Sequence, residues 1–557
     1  MPSSQQKLYL LDYGAGNVRS LVNAVEQLGY SIKHIDTASD FDQADKIIFP
    51  GVGAFGYAMQ ALRAKGFIEP LKKFIASGRP LMGICVGMQV LFDGSDESPT
   101  EPGLGIFEGQ ARLFDSKTKT VPHIGWNAAQ NALVDQQLIA SAPDLSNDRR
   151  YYFVHSYAVP FTSEGRQSEF VYTATRYGDE TIVSSIWQNN VFATQFHPEK
   201  SGAAGLAALK SFIEQDLARP QTPSKIIKPE DVRQELTKRV IACLDVRAND
   251  QGDLVVTKGD QYDVRESAEQ GGDVRNLGKP VELAKRYFDE SADEIAFLNI
   301  TSFRNMPFKD TPMLEVLRQA SRSIFVPLTI GGGVRDIVDP DGGHKWSAVQ
   351  VAGEYFRSGA DKVSIGSDAV YAAERYWQRK ADGTKPLLDG TTAIEQIAGC
   401  YGNQAVVISV DPRRVYVDGK DKANGHNVIE TAFPGPNGEK FCWYQCTVKG
   451  GREGRDLDVI QLVTACEAMG AGEVLLNCMD KDGTNSGYDI ELISSVKAAV
   501  NIPVIASSGA GKVEHFSEVI EKTNVDAVLA AGIFHRREVP ISAVKDHMSQ
   551  QKIPTRL

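Results

Sequence analysis

A cysteine flanked by small residues sits in GICVG (83–87), after the apolar run RPLMGIC (79–85) and before MQVLF. This is the pattern of a strand, a tight turn and a helix with the nucleophile on the turn. The glycines are needed because the turn leaves no room for side chains, and the helix start behind Cys85 favours a thiolate. A thiol nucleophile needs a base, and HPE (197–199) follows the apolar stretch VFATQF. His197 and Glu199 are two residues apart, so in extended chain both point one way, and the carboxylate can orient the imidazole that takes the thiol proton. His155, in VHSY, is a rival imidazole with no carboxylate close in sequence, and is read as a packing or substrate contact. Acyl transfer also needs N–H donors for an oxyanion. Val86 N–H follows the nucleophile, and PGVG (50–53) offers Gly51, Val52 and Gly53, although the same four residues would serve as an ordinary turn.

A second set of chemistry-bearing residues lies downstream. Asp245 and Asp411 each close an apolar run, in CLDV and SVDP. Two carboxylates across one pocket suit general acid–base work. Four runs end in small residues: IGGGVRD (330–336), IGSDAV (365–370), ASSGAGK (506–512) and AAGIFH (530–535). Such ends let backbone N–H groups cradle a phosphate at a helix start. Gly332, Gly333 and Ser367 would form one cradle, and Ser508, Gly509 and Gly532 another on the opposite rim, so the ligand should be long with a phosphate at each end. GAGK (509–512) lacks the spacing and the hydroxyl residue of a nucleotide-binding loop, and DYGAGN (12–17) lacks the third glycine of a dinucleotide fingerprint. CWYQC (442–446) has no matching His or Cys partners, so neither a metal nor a cofactor is expected.

The elements that must hold these residues fall into two series. Short apolar runs at 7–13, 46–51, 79–85, 150–159 and 191–198 alternate with amphipathic stretches at 17–29 and 205–217, which predicts a doubly wound α/β domain over 1–217. A polar stretch with three prolines, ARPQTPSKIIKPED, marks a linker within 218–236. From 237 to 557 eight strand candidates follow, at 239–246, 294–300, 325–331, 361–366, 404–411, 472–478, 502–508 and 526–532, which predicts a TIM barrel. Its excess length is placed in loops around 247–280, 338–350, 371–392 and 413–445. The barrel repeats internally: CLDV pairs with SVDP, FLNI with LLNC, PLTIGGG with PVIASSG and ADKVSIG with VDAVLAA, so Asp245 matches Asp411 and Asn299 matches Asn477.

A chain of 557 residues with a net charge of −11 is long enough for both domains and poorly suited to general nucleic-acid binding. Seven scattered cysteines make no secreted disulfide framework. No apolar run approaches a membrane span, and no targeting segment is read at the start, so a cytosolic protein is expected.

PGVG, GICVGMQ and QFHPEKS, in that order over residues 7–215, resemble the class I glutamine amidotransferases. The resemblance implies that Cys85, His197 and Glu199 hydrolyse glutamine to glutamate and ammonia through a thioester, with Gln89, His155, Ser156 and Tyr157 holding the glutamine. The second half is similar over nearly its whole length to the histidine-biosynthesis cyclases, the barrel half of imidazole glycerol phosphate synthases. It shares IACLDV, VVTKGDQ (255–261), IGGGVRD, GADKVSIGS, MDKDGTNSGYD (479–489) and ASSGAGKVEHF. Fusion of the two resembles the fungal and plant arrangement. The likeness implies both activities on one chain, compatible with a monomer. It implies a bisphosphorylated aminoimidazole ribonucleotide as substrate, with Asp245 and Asp411 as acid and base in either order. Lys258 would close on substrate, and Asn477, Asp482 and Gly483 would line its site. Asn299 stands where many relatives have Asp, and Ser508 where a glycine is expected.

Arg239, Glu294, Lys362 and Glu473 open the first, second, fourth and sixth barrel strands. Their signs balance, so they can form a ring of ion pairs, although four charges there would also make an ordinary solvated rim. The cyclase resemblance makes this ring an ammonia gate, with Lys200 reaching Asp361 across the join between domains. Two other readings stand at this stage. A glutamine-fed barrel of the pyridoxal phosphate synthase type needs a Schiff-base lysine aimed at the mouth, and Lys362 lies at the opposite end. A non-catalytic sensor built on an amidotransferase is opposed by the intact Cys85–His197–Glu199 set.

Overall fold

The computed structural model describes residues 7–14, 16–51, 53–215, 219, 223–248, 254–257, 280–299, 308–339 and 342–557, with the side chains of 247–248, 254–257 and Asp310 left aside. Val52 and Lys258 lie outside the described residues. No described helix is long and apolar enough to cross a membrane. All seven cysteines are free.

The first half is built on an eight-stranded mixed sheet. In spatial order its strands are Lys33–His34, Leu8–Leu10, Lys46–Phe49, Leu81–Ile84, Val191–Thr194, Glu180–Gln188, Val171–Tyr177 and Gln130–Asn131. The first five are parallel and the last three antiparallel. The central strands carry unbroken apolar runs because helices cover both faces. Val18–Gln27, capped by Asn17, and Gly202–Glu214 are two of the covering helices. The stretch 150–159 is not one strand. Tyr151–His155 pairs with His123–Asn127, while Tyr157–Ala158 joins a separate sheet through Gln110–Leu113. Ser156 is the break.

The described part of the join is tied to the first half. Arg219 is buried and donates to the carbonyls of Ser168, Val171 and Trp187, and Ile227 N–H bonds Ala132 O.

The second half is a closed barrel of eight parallel strands. They are Arg239–Ala248, Glu294–Asn299, Leu328–Gly331, Lys362–Ile365, Val406–Val410, Glu473–Asn477, Val504–Ser507 and Ala527–Ala530. The last pairs back onto the first. Two expectations need correction. The first strand runs beyond Asp245 and folds back on Leu254–Thr257, so Asp245 sits inside a strand and not at its end. The loops expected at 371–392 and 413–445 hold regular elements as well: 367–381 is helix, and Pro412–Val417, Ile429–Glu430, Phe441–Val448 and Glu453–Asp458 form a four-stranded antiparallel sheet. Runs such as RRVYV and FCWYQCTV make that sheet, and Gly419, Gly425, Gly435, Gly438, Gly450 and Gly451 lie between its strands.

Candidate active sites

Cys85 adopts φ 52, ψ −109, between the strand Leu81–Ile84 and the helix Val86–Gln89. That helix is a single turn, so the expected dipole assistance is small. The elbow packs against the 50–53 loop so closely that a Cβ on Gly51 would fall 2.2 Å from Gly87 N, and one on Gly87 would fall 2.1 Å from Phe49 O. Gly53 follows with φ 130. Val86 N–H, the expected oxyanion donor, points to Gly51 O at 3.4 Å.

His197 Nδ1 and Glu199 Oε1 are 2.8 Å apart, both side chains buried. The pair does not form in extended chain: Pro198–Lys200 is a 3-10 turn, and Pro198 in it bends the carboxylate back onto the ring. Burial alone would lower the imidazole pKa, but the Glu199 carboxylate and the Cys85 sulfur outweigh it and hold it well above the usual value. His155 differs. Burial, with a further push from His197, drops its pKa to about 3, and its Nδ1–H donates to Tyr157 O at 2.9 Å. A ring that stays neutral down to that pH is a poor base, and here it holds the chain around Ser156 and Tyr157. Gln89 is also engaged, donating to Tyr157 O at 2.9 Å and to Gln195 Oε1 at 3.0 Å.

Beneath this centre lies the barrel floor. Arg239 binds Glu294 Oε2 at 2.9 Å and Glu473, and Lys362 Nζ lies 2.6 Å from each of the same two glutamates. The four buried side chains close a ring in which the sign alternates. Burial would lower the Arg239 pKa, but Glu473 and Glu294 hold it up. Lys362 is thus fully committed at the floor, with no lysine head left to reach the mouth from this position. Tyr152 joins the two regions: its carbonyl accepts His197 N–H at 2.9 Å, and its buried hydroxyl feels the charges of Glu294 and Arg239. Lys200 Nζ reaches Asp361 at 2.7 Å across the domain junction.

At the opposite end of the barrel, Asp411 follows the fifth strand. Asn477 Nδ2–H donates to its Oδ1 at 2.9 Å. Burial raises the Asp411 pKa, Asn477 opposes the rise and the Asp482 charge adds to it. Asp245 and Asp482 both act on the buried Cys243 thiol, and Asp482 also acts on Asp411. Gly332 and Gly333 take φ 96 and 75 after the third strand, and Ser367 begins a helix after the fourth. After the seventh, Ser508 has φ 74 and Gly509 φ 99. The left-handed region costs an L residue roughly 1 kcal/mol, so Ser508 is strained where its neighbour is not. Gly532 opens the short helix after the eighth strand, and Gly483 (φ 70) lies beside Asp482. Asn299 ends the second strand.

Several contacts escape a motif reading. Gln195 Nε2–H donates to the Cys85 sulfur at 3.5 Å. Asn17, in the glycine-rich start, donates to Asp361 Oδ1 at 2.8 Å and Gly359 O at 2.9 Å. Lys449 N–H, on a turn of the four-stranded sheet, reaches Ser367 Oγ at 2.9 Å. Gln195 stands inside QFHPE and had a local signal; the other two depend on contacts 344 and 82 residues apart.

Comparison with known proteins follows the same division. The family described as "Glutamine amidotransferase class-I" matches residues 9–215, and that described as "Histidine biosynthesis protein" matches 239–540. The chain is 57% identical over 543 residues to imidazole glycerol phosphate synthase hisHF of Schizosaccharomyces pombe, covering 97% of this chain and 98% of that protein. Identity to the protein of the same name from Emericella nidulans is 55%, over 98% of each. The Arabidopsis thaliana protein, named as chloroplastic, is 53% identical over 100% of this chain and 90% of its own.

Proposed function

The chain belongs to the imidazole glycerol phosphate synthases in their fused form, an amidotransferase joined to a histidine-biosynthesis barrel, and we propose that its two centres divide one reaction as their geometry invites. The Cys85 thiolate attacks the glutamine carboxamide. His197, held by Glu199, accepts the thiol proton and returns it to the departing ammonia. Water then opens the thioester to glutamate. Val86 N–H becomes an oxyanion donor only when the Gly51 carbonyl turns away, so hydrolysis requires a movement of the 50–53 loop. Gln195 steadies the sulfur, and Gln89 and His155 fix the wall around Tyr157.

Ammonia passes Tyr152 and the ring of Arg239, Glu294, Lys362 and Glu473 into the barrel. Lys200 and Asp361 keep the two domains in register over that opening. In the mouth ammonia attacks the ribulosyl carbonyl of phosphoribulosyl-formimino-aminoimidazole carboxamide ribonucleotide. The imine cyclises, and the molecule splits to imidazole glycerol phosphate and aminoimidazole carboxamide ribotide. Asp411, with its raised pKa, is suited to deliver a proton, which leaves Asp245 as base. The cradles at Gly332, Gly333 and Ser367, and at Ser508, Gly509 and Gly532, take the two phosphates, with Asn477, Asp482 and Gly483 beside them and Lys258 as a further substrate contact. A cytosolic location fits seven unbridged cysteines.

The observation that carries this reading is the buried His197–Glu199 pair beside Cys85, directly above a charged ring that opens into a barrel with carboxylates at its far end. Cys85→Ala tests it. Synthesis driven by glutamine should fall by at least about 10⁴-fold, while synthesis from added ammonium salt persists. Loss of both in a folded variant would refute the division.

A further inference from the structure

None of the steps above uses the four-stranded sheet that follows the fifth barrel strand, yet this sheet touches two carboxylate-bearing segments of the mouth. Its first strand starts at Pro412, next to Asp411, and the Thr447 hydroxyl of its central strand donates to Asp411 O at 2.7 Å. The loop after the sixth barrel strand, 478–489, carries Asp482, whose charge acts on Asp411. That loop is tied to the same sheet at both ends. Where it leaves the barrel, Met479 N–H donates to Pro412 O at 3.2 Å and Arg414 N–H to Asp480 Oδ2 at 2.8 Å. Where it enters the helix Ile490–Ala499, Asp489 is the cap and accepts Leu492 N–H at 3.1 Å. The Arg414 guanidinium grips this end from the sheet: Nη2 lies 2.7 Å from Asp489 Oδ2, 3.2 Å from Glu491 Oε2 and 3.2 Å from Tyr444 Oη. Thr431 Oγ and Ala432 N–H donate to the same Glu491 at 2.8 and 2.7 Å. Between the two ends, Phe433 of the sheet takes two cations on one ring, with Arg414 at 4.9 Å and Lys481 Nζ at 4.7 Å from its centroid. The Arg414 side chain is 5% exposed and that of Asp489 is wholly buried. A buried ion pair adds little net stability over an apolar replacement, and its best-attested use is to fix one arrangement among several. The arrangement fixed here is that of the sheet against the Asp482 loop.

We infer that the four-stranded sheet is a brace that holds the Asp482 loop against Asp411, and that Arg414 is its positioning residue, acting on cyclisation through the placement of Asp482 and not by contact with substrate. A lysine at 414 would keep the charge but could not span Asp489, Glu491 and Tyr444 with one planar fork. This rests on the cyclase reading given above.

The test is a double-mutant cycle in the full-length chain, with ammonium salt as nitrogen source and phosphoribulosyl-formimino-aminoimidazole carboxamide ribonucleotide as the varied substrate. Arg414→Lys should lower kcat roughly 10–100-fold, the effect of moving a group at the reacting centre by about 1 Å. KM should stay near wild type, because the phosphate cradles stand on other loops. Phe433→Ala removes a ring that is 48% exposed and is mild for the fold; it should lower kcat about fivefold, the worth of two exposed cation–π contacts. In a chain that carries Asp482→Asn, neither change should lower kcat further, since the group being placed is gone. Wild-type kcat in either single variant would overturn the inference. Losses of equal size with and without Asp482 would overturn it too, by putting the effect of Arg414 elsewhere. A wild-type chain that makes no imidazole product from ammonium salt would instead sink the cyclase reading, and this inference with it.

Discussion

At the thiol centre Cys85, His197 and Glu199 are each at most 4% exposed and come from two stretches of chain. At the barrel mouth Asp245, Asp411 and Asp482 are half-buried and come from three separate stretches of chain, inside the first strand, just after the fifth and in the loop after the sixth. The chemistry accounts for the contrast. Nucleophilic attack requires contact between sulfur, imidazole and carboxylate before substrate arrives, so the first centre is assembled, dry and closed by one loop carbonyl. On the reaction proposed above, cyclisation of a long bisphosphate would require two anchors far apart with a proton donor and acceptor between them, which suits a second centre spread around a rim. The substrate itself brings its parts together. A preassembled centre should fail wholly when one member is lost, whereas a distributed one should keep binding when its acid or base is removed.

That expectation can be broken most sharply at the carboxylates. Asp245→Asn and Asp411→Asn should each reduce ammonia-driven synthesis by about 10²–10⁴-fold, with substrate affinity little changed because the phosphate cradles are intact. Turnover near wild type in either variant would remove that residue from the chemistry. Loss of substrate binding would show that the mouth is as interdependent as the thiol centre.

The contrast also governs what a reader of the sequence can see. GICVG and HPE are compact motifs whose residues touch within the fold, so the meeting of Cys85, His197 and Glu199 is legible in the sequence, while the Gln195 contact on the sulfur is not. Even there the route from His197 to Glu199 departs from an extended chain, because Pro198–Lys200 is a 3-10 turn. The barrel and its ring were legible because strand starts are marked by a charge followed by an apolar run. What could not be seen depends on distant contacts. Asn17 meets Asp361 only once both domains are folded. Lys449 meets Ser367 only because a polar, glycine-containing segment forms a sheet instead of a loop. The raised pKa of Asp411 arises from burial, which its neighbours in sequence do not reveal.

The two halves should also part company in acid. His123 and His155 are buried side by side in the first half, ring centroids 5.2 Å apart. Burial puts the His123 pKa well below its ordinary value and takes that of His155 to about 3. The barrel half holds His535, lowered to about 4 by burial and by Arg286 and Arg536. Each folded value lies below that of the unfolded chain, near 6.5. The unfolded state therefore binds the proton first, and stability is complete above about 6.5 and lost as pH falls toward the folded value. By pH 4 the cost is on the order of 3 kcal/mol each for His155 in the first half and His535 in the barrel, and His123 adds to that of the first half. Trp187 lies within that half, and in a chain keeping it as the single tryptophan the fluorescence transition should move to lower denaturant between pH 7 and 5 more than that of the barrel. His123→Leu should flatten the dependence. Equal acid sensitivity of the two halves would remove this difference between them.

The smallest expected effect, and the one that bears on how the regions are joined, concerns the ring. Arg239 is wholly buried and holds Glu294 and Glu473 together, with Lys362 completing the circle. Arg239→Ala leaves two carboxylates to one ammonium, an uncompensated buried charge worth about 3–5 kcal/mol of destabilisation. A companion variant, Arg239→Ala with Glu473→Gln, removes one charge of each sign and keeps the Lys362–Glu294 pair, so it separates loss of the gate from loss of the fold. Neither change touches Cys85, His197 or Glu199, and glutamine should still be hydrolysed. If the ring directs ammonia into the barrel, opening it next to Tyr152 lets ammonia escape and become protonated in water. The glutamate formed per imidazole product, one in a sealed enzyme, should then rise several-fold in both variants while synthesis from added ammonium salt holds. A ratio that stays at one in both would mean the four charges are a structural floor, and that the two centres are sealed together by the domain contacts around Lys200 and Asp361 alone.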